Sequence, residues 1–521
     1  MDLVETTSSV QETFGRIAET RSVYLQMITW GISANSHDAA LAVFSDEKLV
    51  FASHSERFSK KKNDKDLSPK LVKYAIDKFG NPNKVYWYEN PYFKTLRQLF
   101  AGQGWKWRDN NIKSYLAKYN IDCPITYVDH HKSHAAAGYY TSGFDNAAVV
   151  VLDAIGEFTT YSVWEGNGLV LRKQLSLEYP NSLGLFYSAM TQRCHLKPNE
   201  DEYILMGMSA YGDPSKLTRD ILNDFVQLPN DDYQHAFRIK KNLHRGCQDW
   251  RPDLIINDSF DIAAATQTVY EMAFERVLQQ AASITSSRNL VLMGGCALNC
   301  LANRLTGKYF EKTWIMPNPG DAGSSIGAVL AKHPKWKDFT NWSNMFIGYD
   351  MGSSTSNNVI VDYLEKNKIC GLARGPAEFG PRALGNRSLL ADPRGDDIKD
   401  KVNAIKQRQE FRPFGPAILE EHVDMYFDMP AGWRTSRYMQ VVARCRHPEL
   451  YPAIIHRDGT SRVQTVPDDG SPFRQLLELW YAKTGCPMLL NTSLNIKGKP
   501  MVNDHADARN FEHQYTIKVY N

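Results

Sequence analysis

His130 and His134 stand four residues apart in Tyr127-Val-Asp-His-His-Lys-Ser-His-Ala-Ala-Ala-Gly138. On a helix, positions i and i+4 share one face, so two imidazoles at this spacing can hold one metal ion. Residues 124–128 read as a strand and residues 133–140 as a helix. The pair therefore falls near a strand-to-helix junction, where α/β proteins commonly build their sites. The spacing alone fits two packing or capping histidines equally well. Downstream, Ala147-Ala-Val-Val-Val-Leu152 reads as a buried strand that ends in Asp153. Ala154-Ile-Gly-Glu157 then makes a turn, and Thr159-Thr-Tyr-Ser-Val-Trp164 returns as a second strand.

An acidic residue closing a buried strand before a turn and a returning strand resembles the phosphate-and-metal turn of actin-like ATPase folds. A second copy of the pattern lies near the start of the chain. There residues 28–32 lead to Asn35-Ser-His-Asp38 and on to residues 39–44. A third element, Leu290-Val-Leu-Met-Gly-Gly-Cys-Ala-Leu-Asn299, is an apolar strand, a double glycine (Gly294, Gly295) and a helix start. Such a turn suits a nucleotide that must approach the backbone closely. A fourth, residues 317–327, places Asp321 in a Gly-rich turn just before a helix. Amphipathic helices are expected over 67–79 and 261–286. Alternation of strands and helices from 27 to about 345 argues for an α/β architecture. The two Asp-ending hairpins are compatible with a duplicated lobe.

The 521 residues are enough for roughly two to four domains. A hydrophobic content of 43% and a charged content of 23% describe an ordinary globular chain. No run has the length of a membrane helix, and no basic segment followed by an apolar stretch opens the sequence. No membrane partner and a cytoplasmic location are the expectation. The eight cysteines are scattered without zinc-type CxxC pairs, which reads as reduced thiols. Cys296 and Cys300 read as small core residues rather than a metal pair. The net charge of +3 selects neither nucleic acid nor small anions. The basic run Lys60-Lys-Lys62 with Lys65 reads as a solvated loop, with contact to an anionic substrate as the sharper alternative.

Residues 1–26 read as an N-terminal extension, 27–347 as one unit, 348–359 as a polar linker and 360–521 as a second unit. The second unit is dominated by candidate anion binders: Arg382, Arg387, Arg394, Lys406, Arg408, Arg412 and Arg462, with Ser493 and Asn495. Arginine offers phosphate or carboxylate a fixed fork of donors. Glycines 380 and 385 allow a close approach around Phe379-Gly-Pro-Arg-Ala-Leu-Gly-Asn-Arg387.

Five segments in order carry a resemblance to the O-carbamoyltransferases of antibiotic and nodulation-factor biosynthesis. They are Val128-Asp-His-His-Lys-Ser-His-Ala-Ala136, the stretch from Gly375 to Arg394, Glu410-Phe-Arg-Pro-Phe-Gly-Pro416, residues 458–466 and Leu489-Leu-Asn-Thr-Ser-Leu-Asn495. The resemblance spans residues 27 to 511. It implies an actin-like ATPase (two-lobed) N-terminal domain followed by a YrdC-like α/β C-terminal domain. It also implies a two-step reaction. ATP (with Mg2+) and carbamoyl phosphate give carbamoyl adenylate in the C-terminal domain, with release of pyrophosphate and phosphate. The carbamoyl group then passes to an acceptor hydroxyl in the N-terminal domain.

By this resemblance Lys406, Arg412, Ser493 and Asn495 form the anion site, joined by Arg382 and Arg462. His130, His134, Asp153 and Asp321 match metal ligands. A mixed N/O donor set suits a transition metal better than Mg. Resemblance favours Fe(II), with Mn or Zn as alternatives. Gly294, Gly295 and Asn299 match the adenosine-binding segment. His131 and Asp38 are the two candidates to take the acceptor's proton, and neither spacing nor resemblance selects between them. The chain departs from the family in carrying Ala154 where Gly is usual, and a positive φ there would be strained. A small hydroxylated acceptor, a sugar or nucleotide, is expected. The alternative is a transferase acting on nucleic acid or a hydroxymethylated nucleotide. A homodimer is compatible with everything above.

Overall fold

The protein, represented by a computed structural model, is described over residues 26–229, 235–339 and 345–521. Most of the expected extension, residues 1–25, lies outside this range. The first sheet contains β1 (Ile28–Ser33), β2 (Ala40–Ser45), β3 (Lys48–His54), β4 (Lys84–Trp87) and β5 (Ile125–Tyr127), in the order β3-β2-β1-β4-β5. β2 runs antiparallel to both β1 and β3, while β4 and β5 continue the sheet in parallel.

The second sheet repeats this plan. β6 (Asn146–Gly156), β7 (Thr159–Asn167) and β8 (Val170–Glu178) form its meander. A two-residue ladder, β9 (Val226–Gln227) with β10 (Arg238–Ile239), stands apart. β11 (Asn289–Met293) and β12 (Lys312–Trp314) then complete the order β8-β7-β6-β11-β12 with the same polarities. Two lobes of one topology, side by side in one chain, are the actin-like arrangement.

In each lobe the fifth strand feeds a helix, and these two helices meet between the lobes. The helix His130–Thr141 follows β5, and Ser324–Leu330 follows β12. Their sequences are rich in Ala, Gly and Ser because backbone must approach backbone. A Cβ on Gly327 would lie 1.8 Å from the Ser133 carbonyl oxygen. One on Gly31 would lie 1.8 Å from the Ser325 carbonyl oxygen. Nearly every residue of His130–Thr141 is buried, Lys132 excepted, so the helix is a central pillar rather than a surface element.

The C-terminal unit is built on a mixed six-stranded sheet. Its strands run in the order 464–466, 415–419, 488–493, 387–391, 369–373, 519–520. Leu389 and Ala391 point into one core with Val402 and Phe511. Leu390, between them, points into the other with Leu364 and Trp480. This is the period-two alternation of a sheet covered by helices on both faces. Of the stretch expected as a linker, residues 348–350 belong to the strand Phe346–Asp350 and residues 357–359 to the helix Asn357–Asn367. Only the turn between them is irregular. The units interlock elsewhere too: Trp433 Nε1 donates to Thr306 Oγ1 at 2.9 Å, and Lys60 pairs with Asp504 and Asp507. All eight cysteines are unpaired.

A Gly327→Ala variant places a methyl group where the Ser133 carbonyl now sits. It is expected to lose about 1–3 kcal/mol, as overpacked cores do. A urea midpoint equal to that of the parent chain would show that the two helices separate at little cost.

Candidate functional site

Two clusters emerge, one between the lobes and one in the C-terminal unit. In the first, His130 and His134 occupy the first and second turns of the central helix, so their rings share a face. His130 Nε2 lies 3.1 Å from Asp153 Oδ2 and 3.1 Å from His134 Nε2. His134 Nε2 lies 3.3 Å from Asp321 Oδ1. One donor atom from each of the four residues falls within 4.8 Å of the others. Both histidines and Asp153 are buried. The sequence reading is corrected in one respect: Asp153 does not end its strand. It lies in a register shift of β6 between Leu152 and Gly156, and that irregularity turns its carboxylate toward the imidazoles.

The surroundings are shaped to the cluster. A Cβ on Gly156 would lie 2.1 Å from the His130 ring. The Gly295 backbone N–H donates to Asp153 Oδ1 at 3.1 Å, and Gly294 adopts φ 90° where a Cβ would strike the Leu152 carbonyl. Ala154 stays outside the left-handed region, so alanine in place of the family's usual glycine carries no such strain. Burial opposes charging His130, but Asp321 and Asp153 outweigh it and raise its pKa to about 9. Burial likewise opposes ionisation of Asp153, and His130 and His134 more than reverse it, holding the carboxylate well below its ordinary range. Two imidazoles and two carboxylates converging at these distances form a donor set that fits a metal ion.

The two candidate bases are placed differently. His131 packs into the second lobe with its Nδ1 2.8 Å from Ser162 Oγ. Burial, then His130 and His134, depress its pKa well below the usual range, so the ring is neutral but enclosed. Asp38, at φ 52°, is held by His54 Nδ1 at 2.9 Å. Asn299 is engaged by Gln267, which it meets through two 3.1 Å hydrogen bonds. Glu157, named in the sequence only as part of a turn, is the group that reasoning from sequence missed. It accepts a hydrogen bond from the Asn90 backbone N–H, and burial pushes its pKa up to about 7.

The second cluster gathers Arg382, Lys406, Arg408, Arg412 and Arg462. Lys406 ends the helix Ile398–Lys406, and its Nζ donates to the Ser493 carbonyl at 2.6 Å, to the Asn495 carbonyl at 3.2 Å and to Asn495 Oδ1. The Arg412 guanidinium lies 4.7 Å from the ring centre of Tyr203, a residue of the N-terminal unit. Among the described residues no carboxylate forms an ion pair with any of the five. Burial, then Arg408 and Arg412, depress the Lys406 pKa well below its usual range. Burial and neighbouring Arg412 lower Arg408 to about 8, and burial with Arg462 lowers Arg382 to about 9.

Two other arginines grouped with these by sequence are structural. Arg387 spends its donors on the carbonyls of Arg374, Asn386, Tyr349, Gly375 and Asn503. Arg394 pairs with Asp392. The loop that carries Arg382 is drawn tight around Glu378, whose Oε1 accepts from the backbone N–H groups of Leu384, Asn386 and Arg387.

Comparison with known proteins shows the family. A model of the carbamoyltransferase N-terminus matches residues 83–330 and one of the carbamoyltransferase C-terminus matches residues 361–520. The chain is 33% identical to an uncharacterized Synechocystis protein over 92% of this chain and 93% of that one. It is 32% identical to nodulation protein NolO of Bradyrhizobium diazoefficiens (73% and 75% covered). It is 26% identical to the 3'-hydroxymethylcephem-O-carbamoyltransferase of Amycolatopsis lactamdurans (90% and 94% covered). The chain therefore belongs to the O-carbamoyltransferase family and is an enzyme. Among solved structures, full-length HypF in the phosphate- and nucleotide-bound form matches 59% of this chain at 13% identity with a TM-score of 0.33, and the match spans 46% of HypF.

Elemental analysis of His134→Ala is expected to show loss of bound transition metal, because one imidazole of the four-donor set is gone. Equal metal in parent and variant would refute the assignment. Glu157 sets a pH dependence of stability. Below pH 4.5 it is protonated in both states. Between 4.5 and about 7 the unfolded chain ionises first, so stability falls as pH rises, by up to about 3 kcal/mol. Glu157→Gln should flatten this fall in urea titrations run from pH 5 to 8.

Proposed function

We propose that the chain makes carbamoyl adenylate from ATP and carbamoyl phosphate at the C-terminal cation cluster and transfers the carbamoyl group to an acceptor hydroxyl between the lobes. The observation that carries this reading is the set of five cations without an anionic partner. Charges gathered without counter-charge are costly unless a ligand supplies it. ATP and carbamoyl phosphate are both polyanions that repel one another, and several fixed cations are needed to hold them together.

In the first step, Arg412 and Arg382 would clamp phosphate oxygens while Lys406, fixed by Ser493 and Asn495, sits at the floor of the site. Water cleaves carbamoyl phosphate to carbamate and phosphate. A carbamate oxygen then attacks the α-phosphorus of ATP, and pyrophosphate leaves with the bond electrons. In the second step, the acceptor oxygen bonds to the carbamoyl carbon, the bond from that carbon to the AMP oxygen breaks, and the hydroxyl proton is lost. His130, His134, Asp153 and Asp321 would hold a transition metal, Fe(II) by family resemblance, which when bound supplies Lewis-acid polarisation of phosphate oxygens. By family resemblance Gly294, Gly295 and Asn299 would line the adenosine site, with Gly294 packed against the Leu152 carbonyl and the Gly295 N–H on Asp153. Of the two candidate bases, Asp38 is the partly exposed one, held by His54, while His131 is enclosed. The acceptor is proposed as a small hydroxylated molecule, since one relative is by name a carbamoyltransferase of a 3'-hydroxymethylcephem.

The half-reactions should separate by mutation. Arg412→Ala is expected to lower carbamoyl-phosphate-dependent pyrophosphate release by at least about a hundredfold. His134→Ala should retain that release and fail to carbamoylate acceptors followed by mass spectrometry. The opposite pattern would reverse the assignment of the two sites.

A further inference from the structure

The helix Pro91–Phe100 is mounted inside out. Its charged residues face the protein: Lys94 is 3% exposed and Arg97 is 7% exposed. Lys94 Nζ donates to the Asn35 carbonyl at 2.7 Å and pairs with Glu89. Arg97 Nε donates to the Glu157 carbonyl at 3.1 Å. These bonds fix the rotation of the helix, so its other face must look outward. That face carries Tyr92, Phe93, Leu96, Leu99 and Phe100, spaced as one stripe along a helix. Tyr92 is 60% exposed and Phe100 is 70% exposed. The following loop extends the stripe with Trp105, 62% exposed, and Trp107, whose ring lies 4.7 Å from that of Tyr92. A continuous apolar face of this kind on a folded protein marks an interaction surface.

The charges around it select the partner. Lys106 and Arg108 are both exposed beside the stripe. From Pro91 to Asn111 the single carboxylate is Asp109, 3.8 Å from Lys106. Tryptophan and tyrosine next to lysine and arginine, over an apolar helix face, is the pattern that settles at an anionic lipid–water interface. A second copy of the chain fits less well, because it would bring two cationic rims into one interface with only Asp109 of each to offset them. No described helix is long and apolar enough to cross a membrane, so the contact is peripheral. We infer that the outward face of Pro91–Phe100, with Trp105, Lys106 and Arg108, docks the protein on anionic membrane surfaces. This departs from the expectation of no membrane partner, and it is independent of the proposed transfer reaction.

The test is cosedimentation of the full chain with vesicles of phosphatidylcholine alone or mixed with phosphatidylglycerol. The chain should sediment with the anionic vesicles and bind neutral ones at least about tenfold more weakly, since each interfacial cation contributes roughly fivefold. Leu96→Asp/Phe100→Asp should reduce binding to both by tenfold or more with unchanged thermal unfolding. Lys106→Glu/Arg108→Glu, which leaves the apolar face intact, should remove the preference for anionic lipid. The inference is overturned if the parent chain stays in the supernatant with both vesicles, or if neither double variant alters binding. It is also overturned if sedimentation velocity shows a dimer dissolved by Leu96→Asp/Phe100→Asp while vesicle binding is absent.

Discussion

The distance between two helices governs the lobe interface. Ser133 on one and Gly327 on the other touch through backbone, with no room for a side chain. His130 and His134 ride on the first helix. Asp321 stands in the turn that opens the second. Any residue larger than glycine at 327 would move the carboxylate from the imidazoles, and a shift well under the length of a side chain would break the four-donor set. The glycines at 31 and 138 do the same work on the sheets, where Cβ atoms would collide with Ser325 and with Val291 and Met293. Small residues here are a requirement of the site as much as of the core.

The two clusters answer different electrostatic problems. Between the lobes, charges of both signs converge and stabilise one another before any ligand arrives. In the C-terminal unit, charges of one sign are held together against repulsion. The fold does this with neutral acceptors: carbonyl oxygens of Ser493 and Asn495 for Lys406, Asn403 Oδ1 for Arg408, and the faces of Tyr203 and Phe414 for Arg412 and Arg408. A carboxylate in any of these places would stabilise the empty site and compete with an anionic substrate. Glu378 is kept off the arginines by using one oxygen on three backbone N–H groups. It shapes the loop that presents Arg382 and, among the described residues, pairs with no side chain.

Much of this was legible in the sequence where local chemistry decides. The i, i+4 histidines, the strand before Asp153 and the Gly-rich turn before Asp321 all gave elements where they were expected, within a few residues. The sequence does not state how strands from two lobes face one another, so the bulge that redirects Asp153 could not be read from it. Arginine type alone did not separate Arg382 and Arg412 from Arg387 and Arg394, since the difference lies in which carbonyls and carboxylates the fold brings near. Tyr203 reaches the cation cluster from a helix some two hundred residues earlier in the chain, and no spacing rule spans that gap. The helix Pro91–Phe100 shows the limit most plainly. Periodicity tells which residues share a face and is silent about the direction in which that face points.

The helix that bears His130 and His134 is also the chain's crossing from the first lobe to the second, running from the end of β5 to the start of β6. If one lobe rotated against the other, this segment would lie near the pivot. Displacement grows with distance from an axis, so the mouth of the cleft can swing while atoms at the pivot scarcely move. A bound ion there would sit where the breathing of the enzyme is smallest. Acceptors could enter and products leave at the rim without the donor set having to be rebuilt in each turnover.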